Sequence, residues 1–148
     1  MWFSRKQAAA PGAGLAPSSK RVGDAAEDRA LAHLQGRGLV LVQRNFRTPG
    51  RGGGEVDLIM REPDGTLVFV EVRQRASARQ GGAGASITAQ KQRRIVFAAR
   101  HFLLRLGSEP PCRFDVVLIQ GGTPGADRPA EAASIEWIRA AFDASAPS

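Results

Sequence analysis

Apolar residues dominate both halves of the stretch 54–73, and a Pro-Asp-Gly turn separates the two halves. Val, Ile, Leu and Phe favour extended backbone, so the pattern predicts a β-hairpin. Side chains alternate between the two faces of a strand. Glu55 and Asp57 therefore share one face of the first strand, and Glu71 and Arg73 share one face of the second.

A hairpin that is symmetric about Asp64 places Asp57 opposite Glu71 and Glu55 opposite Arg73. Glu55 and Arg73 would then form a cross-strand ion pair. Like charges that face each other directly destabilise a sheet, whereas a divalent cation such as Mg²⁺ takes carboxylate oxygens as ligands. The hairpin alone leaves two interpretations open, which are a metal site at Asp57 and Glu71 and a solvated strand face.

Helical and strand patterns surround this hairpin. The predicted elements are a helix over 24–36, a strand over 39–46, the hairpin, a helix over 88–106, a strand over 113–120 and a short strand or helix over 134–142. The order αβββαβ plus a C-terminal element predicts an α/β fold at the border with α+β, in which helices flank a mixed central sheet.

Asp24 is the predicted N-cap of the first helix, with Glu27 at the capping-box position. Glu27 also shares the apolar face of Leu31 and Leu34, so it is either a cap residue or an acid that faces inward to a site. Asp115 on the later strand is likewise open between a further acid near the site and an edge charge.

Thr88 and Gly107 are the predicted caps of the second helix. Its predicted core stripe consists of Ile95, Ala99, Phe102 and Leu106. A second, wholly basic face consists of Lys91, Arg94, His101 and Arg105. A solvated face is one interpretation of that pattern, and contact with phosphates is the other.

The chain has 148 residues, of which 43% are hydrophobic and 24% charged, as is typical of one globular domain. We assign that domain to 23–143, with disordered tails at 1–22 and 144–148. The single Cys112 excludes an internal disulfide and a cysteine-based zinc site. No apolar run is long enough to span a membrane, so we expect a cytoplasmic protein without a membrane partner.

The formal net charge is +7 and is unevenly distributed. Residues 72–106 contain eight Lys or Arg residues and no Asp or Glu. Such a cluster indicates a polyanionic partner, although an arginine-rich proteome would also produce basic proteins. Two glycine-rich loops carry further candidate phosphate contacts, namely Arg51 in the first loop and Arg75 and Arg79 in the second.

Two central motifs resemble the YraN-type family of small bacterial endonuclease-like proteins. They are Gly54-Glu55-Val56-Asp57-Leu58-Ile59 and Val68-Phe69-Val70-Glu71-Val72-Arg73. The resemblance covers most of the chain from about Gly23 to Phe142. It continues in Gly23 to Glu27, Arg44-Asn45-Phe46-Arg47, Lys91 to Arg94, Arg113-Phe114-Asp115-Val116-Val117 and Ala141-Phe142.

That family is similar to archaeal Holliday-junction resolvases, so the resemblance implies a restriction-endonuclease-like fold. The wider nuclease pattern is an acid on one strand and Glu-x-Lys on the next. Asp57 and Glu71 match the two acids, Arg73 stands at the lysine position, and Glu27 lies where such nucleases often place an acid on the first helix.

The resemblance implies a Mg²⁺- or Mn²⁺-dependent DNA endonuclease, with branched DNA as a candidate substrate and a homodimer as the expected form for paired cuts. Asp57, Glu71 and the carbonyl of Val72 would hold the metal. Arg73 would stabilise charge on the phosphate, and Glu55 and Glu27 would support the site or hold a second metal. Lys91, Arg94 and Arg105 would bind the DNA backbone.

Two other functions stay open from the sequence. Arg73 in place of the lysine favours a nucleic-acid-binding module with a degenerate nuclease site, because Arg keeps its proton at any working pH and cannot act as a base. A protein-interaction role, with the acids as a docking patch, is the third.

Overall fold

The computed structural model of the chain describes residues 19–50, 53–75, 87–120 and 134–144. Within these residues the chain forms two helices and five strands. They are α1 (Ser19–Gly36), β1 (Val40–Arg47), β2 (Glu55–Arg61), β3 (Leu67–Arg75), α2 (Ala89–Leu106), β4 (Cys112–Gln120) and β5 (Ser134–Phe142). Neither helix in this part of the chain combines the length and the apolarity that crossing a membrane requires.

The strands form one mixed sheet in the order β1-β2-β3-β4-β5. Only β3 and β4 are parallel, and the chain connects them through α2, whereas the other neighbouring strands are antiparallel. A parallel pair needs such a crossover because its strands run in the same direction. The α/β class with a mixed sheet is confirmed, and the C-terminal element is a strand.

The two helices cover opposite faces of this sheet. Phe69 of β3 belongs to the same buried cluster as Ile95 of α2. Its neighbours Val68 and Val70 belong to a second cluster with Leu34 of α1. Burying one such side chain contributes about 1.5–3 kcal/mol, so the two clusters hold β3 firmly at the centre of the fold.

The hairpin has the predicted register. Leu58 pairs with Val70 and Arg61 pairs with Leu67, as symmetry about Asp64 requires. The turn is fixed because the Asp64 carboxylate accepts a hydrogen bond from the Thr66 amide at 2.9 Å. The predicted caps of α2 are also confirmed, because Thr88 accepts from the Lys91 amide and Gly107 ends the helix in the left-handed conformation.

The first helix begins at Ser19, five residues before the predicted start, so Asp24 is not its N-cap. The helix also includes residues 19–22, which the composition predicts to lie in a tail. Gly23 lies inside this helix, where a glycine costs about 1 kcal/mol. The cost is borne because Ala26, Ala30 and Leu34 of this helix pack on the sheet.

The core stripe of α2 differs from the prediction at two points. Leu106 is 41% exposed because the helix ends there, and Phe102 is only partly buried. Ala98 is fully buried instead, since the backbone at Gly54 lies directly against it. A side chain at position 54 would collide with the backbone of α2, so this glycine allows β2 to begin in contact with the helix.

Candidate functional site

The regular pairing of β2 with β3 ends just before Asp57. The last bonded pair toward this end is Leu58 with Val70. One residue further, the Asp57 carboxylate accepts a hydrogen bond from the Val72 amide at 2.8 Å. A side chain therefore replaces the backbone partner where the paired part of the hairpin ends, and the Asp57 and Glu71 carboxyls lie next to each other there.

On the other side of β2, the strand β1 has an irregular backbone at Asn45, the residue that lies across from Asp57. Arg44 pairs with Leu58 and Phe46 pairs with Val56, and Asn45 lies between these pairs with φ of 51°. Asn tolerates this left-handed region better than most residues. Asn45 lines the same pocket as Asp57, so both neighbouring strands depart from regular pairing at the level of this acid.

Asp57 and Glu71 form a strongly coupled acid pair. Burial raises the pKa of Glu71, and the nearby Asp57 charge adds to this effect, so that its pKa reaches about 8. Burial also raises the pKa of Asp57, although the bond from the Val72 amide opposes the shift. The pair therefore retains a proton near neutral pH, and the two carboxyls titrate together rather than separately.

One oxygen of Glu71 has no partner. Its side chain is buried, with 8% of the residue exposed, and Oε1 makes no hydrogen bond within the described structure. A buried oxygen without a partner carries a desolvation cost of about 1–3 kcal/mol. The site thus holds an unused acceptor beside a second carboxylate, which is an arrangement that a cation stabilises.

Glu55 lies beside the acid pair and has basic neighbours. Lys91 Nζ is 3.2 Å from Glu55 Oε2 and 3.7 Å from Glu71 Oε2. Burial alone would raise the pKa of Glu55, but Lys91, with help from Arg94 and Arg47, outweighs it and lowers the pKa.

The predicted opposition of Glu55 to Arg73 lies beyond the paired part of the hairpin. The β2–β3 ladder ends at Leu58 and does not reach Glu55, whose ladder partner on the other side of β2 is Arg47 of β1. The end of the ladder before Asp57 interrupts the symmetry on which the prediction rested.

Glu27 reaches the site from α1. It lies in the interior of the helix, so the capping interpretation is wrong and the inward-facing acid is correct. Burial and the Asp57 charge raise the pKa of Glu27, while Arg44, 3.4 Å away, opposes the rise. Glu27, Glu55 and Asp57 face an open pocket of about 470 Å³. Its lining consists of Asp24, Glu27, Asn45, Arg47, Glu55, Val56 and Asp57.

The acid pair supplies only part of the ligand set that a divalent cation needs. The described residues contain no group of three or more Asp, Glu, His or Cys side chains placed to hold a metal. Mg²⁺ is commonly held by one or two carboxylates, with waters and substrate phosphates as its other ligands. Asp57 and the unpartnered oxygen of Glu71 meet that minimum, and the Val72 carbonyl stays a predicted third ligand.

The predicted basic residues do not form one cluster. Arg73 is half-buried, and its charge slightly opposes the pKa rise of Glu71. Arg94 donates to the Gly53 carbonyl at 3.3 Å. Arg105 lies over the Phe46 ring, about 21 Å along the helix from Lys91. Arg51, Arg79 and the side chain of Arg75 lie outside the described residues.

Asp115 is neither an acid of the site nor an edge charge. It is fully buried and accepts hydrogen bonds from the Arg113 guanidinium, the Trp137 indole and the Ala140 amide. No local pattern predicts this role, because the Trp137 and Ala140 donors come from β5, which becomes a neighbour of β4 only in the folded sheet.

Sequence reasoning missed Asn45 and the position of Lys91 among the acids. Asn45 belongs to one of the segments that resemble the YraN-type family. The tolerance of asparagine for left-handed backbone could have indicated that this position is unusual. Among the eight Lys and Arg residues of 72–106, Lys91 is the one lysine, and that contrast could have distinguished it from a general basic face.

Residues 26–119 match the model of the uncharacterised protein family UPF0102. A UPF0102 protein of Polaromonas naphthalenivorans (strain CJ2) is 62% identical, with 98% of this chain and 100% of the relative covered. A UPF0102 protein of Albidiferax ferrireducens is 63% identical over 86% of this chain and 91% of its own length. The predicted YraN-type relationship is confirmed, and the chain belongs to the UPF0102 family.

Proposed function

We propose that this UPF0102 protein is a metal-dependent endonuclease that hydrolyses DNA phosphodiester bonds, and that branched DNA is the first substrate to test. The observation that carries the proposal is the buried pair of Asp57 and Glu71 at the point where the pairing of β2 with β3 ends. Glu71 has a pKa of about 8 and an oxygen without a partner. Buried acids of this kind recur at functional sites, although structural networks also produce them.

In this mechanism Asp57 and Glu71 would hold Mg²⁺ or Mn²⁺, with Glu71 as the carboxylate. The chemistry supplied at this site would be Lewis acidity at the phosphate and a more nucleophilic water. The Val72 amide fixes one oxygen of Asp57 and so orients that carboxylate. Water adds to phosphorus, the bond to the leaving oxygen breaks, and the proton that water loses balances the proton that the leaving oxygen gains.

The surface charge supports a nucleic-acid substrate. The net charge of +7 favours a polyanion, and Arg93, Arg94 and Arg100 lie exposed along α2. These arginines can bind phosphates whatever the base sequence is. A cytoplasmic location and a dimer that makes paired cuts belong to the same proposal.

A non-catalytic nucleic-acid-binding module is the second candidate. Its support is Arg73, which stands where the nuclease pattern has lysine. Such a module would bind DNA with strong salt dependence and would yield no products.

The test is a cleavage assay on branched and linear DNA with Mn²⁺, which compares the wild type with Asp57→Ala. We expect the variant to lose cleavage by at least about 100-fold while it still binds DNA. Glu136→Gln changes an exposed acid on β5 and serves as the control. Equal cleavage by Asp57→Ala would refute the site, and salt-sensitive binding without products from the wild type would favour the module.

A further inference from the structure

The site contains an ammonium group that the sequence pattern does not place there. Among the residues whose side chains the structure describes, Lys91 is the only lysine. It reaches in from α2, and its Nζ lies within 3.7 Å of a Glu71 oxygen and 3.2 Å of a Glu55 oxygen. Arg73, at the lysine position of the pattern, lies two residues after Glu71 on the same strand, β3.

Three contacts fix the position of Lys91. Thr88 accepts a hydrogen bond from the Lys91 amide at 3.1 Å and caps the first turn of α2. Gly54 allows the start of β2 to touch the backbone of this helix. Glu55 then holds the ammonium, whose side chain is 27% exposed. The side chain is thus held in place at one end and still reachable from solvent.

We propose that Lys91 is a catalytic residue that donates a hydrogen bond to the scissile phosphate beside Asp57 and Glu71, in place of the lysine that the nuclease pattern puts at Arg73. This inference rests on the proposed nuclease function. The ammonium of Lys91 stabilises negative charge that develops on a phosphate oxygen. Glu55 is a positioning residue, because it acts through Lys91.

Charge makes the assignment testable, since the ammonium has opposite effects on two measurements. It repels a divalent cation at Glu71, so Lys91→Met should tighten Mn²⁺ binding about three- to tenfold. It also stabilises the transition state, so the same change should reduce cleavage by about 100-fold or more. A residue that only supports the fold would weaken both.

The experiment combines calorimetric Mn²⁺ titration without DNA and cleavage of branched DNA. Lys91→Arg keeps the charge and the ion pair with Glu55, so Mn²⁺ affinity should stay within about twofold while cleavage still falls, because guanidinium geometry differs from that of ammonium. Gln90→Met, at an exposed position in the same turn, is the matched control for both readouts. Arg73→Met should lose less cleavage than Lys91→Met.

Each outcome decides a separate point. A larger loss of cleavage in Arg73→Met than in both Lys91 variants overturns the Lys91 assignment and leaves the nuclease function intact. Weaker or unchanged Mn²⁺ binding in Lys91→Met also overturns the assignment. No cleavage by the wild type overturns the nuclease function and with it the catalytic role of Lys91, even where Mn²⁺ binding tightens as expected.

Discussion

Two buried carboxylate centres lie in the same sheet and differ in their partners. Asp115 of β4 is fully buried and accepts bonds from Arg113 at 2.9 Å, Trp137 at 2.7 Å and the Ala140 amide at 2.9 Å. Glu71 of β3 is similarly buried, but one of its oxygens has no partner.

This difference distinguishes a structural acid from a candidate functional one. Each donor to Asp115 neutralises part of its charge, and Arg113 also bridges to Glu62 near the hairpin turn at 2.6 Å. The Asp57–Glu71 pair instead retains a proton near neutral pH, because burial and mutual repulsion make a second negative charge costly. Burial of an acid is therefore less informative than the number of donors that reach it.

The largest expected effect on the free energy of unfolding comes from removing Asp115, the acid that accepts hydrogen bonds from three donor groups. Asp115→Ala should lower the free energy of unfolding by about 3–5 kcal/mol, since it leaves the buried donors without their acceptor. Asp57→Ala should cost less, because relief of the desolvation cost of the buried Asp57 carboxyl offsets the lost bond to the Val72 amide. Urea unfolding of both variants measures the contrast, and equal losses would remove the distinction between the centres.

The second effect is a pH dependence of stability that arises at Glu71. Its pKa rises from 4.5 to about 8 in the folded chain. Between these values the folded protein holds a proton that the unfolded chain has lost, so this contribution is complete below pH 4.5 and disappears as pH rises through about 8.

Wild-type stability should therefore fall by about 1–3 kcal/mol between pH 5 and 8 relative to Glu71→Gln, which cannot titrate. Urea titrations at several pH values provide the measurement. Parallel curves for the two proteins would mean that Glu71 is not the source of the slope.

A third effect should come from the metal. Mn²⁺ at tenfold over its dissociation constant should stabilise the wild type by about 1.4 kcal/mol, because only the folded chain brings Asp57 and Glu71 together. Thermal unfolding with and without Mn²⁺ tests this, with Asp57→Ala as the unresponsive variant. If Asp57→Ala is stabilised as much as the wild type, the cation binds elsewhere.

The smallest expected effect on stability concerns the contact between Arg139 and Trp137, whose indole donates to Asp115. The Arg139 guanidinium is 4.0 Å from the centre of the Trp137 ring. Arg139→Met should cost only about 0.5–1 kcal/mol, because cation–π contacts at exposed sites are weak. A loss as large as that of Asp115→Ala in the same urea assay would show that the hydrogen bonds of Asp115 depend on the contact between Arg139 and Trp137.

The sequence by itself determined the local features of this protein. Side-chain alternation and the turn at Asp64 fixed the hairpin register from Leu58 onward, because a hairpin's pairing depends on a few neighbouring residues. Thr88 and Gly107 fixed the ends of α2 for the same reason. The motifs around Asp57 and Glu71 also fixed the family.

Only the tertiary structure decided how each acid is neutralised. Arg44 reaches Glu27 across 17 positions, Lys91 reaches Glu55 across 36, and the Ala140 amide reaches Asp115 across 25. No local pattern encodes these contacts, because they depend on which strands become neighbours and how closely α2 approaches the sheet. Desolvation and donor number follow from that packing, and they are what distinguish Asp115 from the Asp57–Glu71 pair.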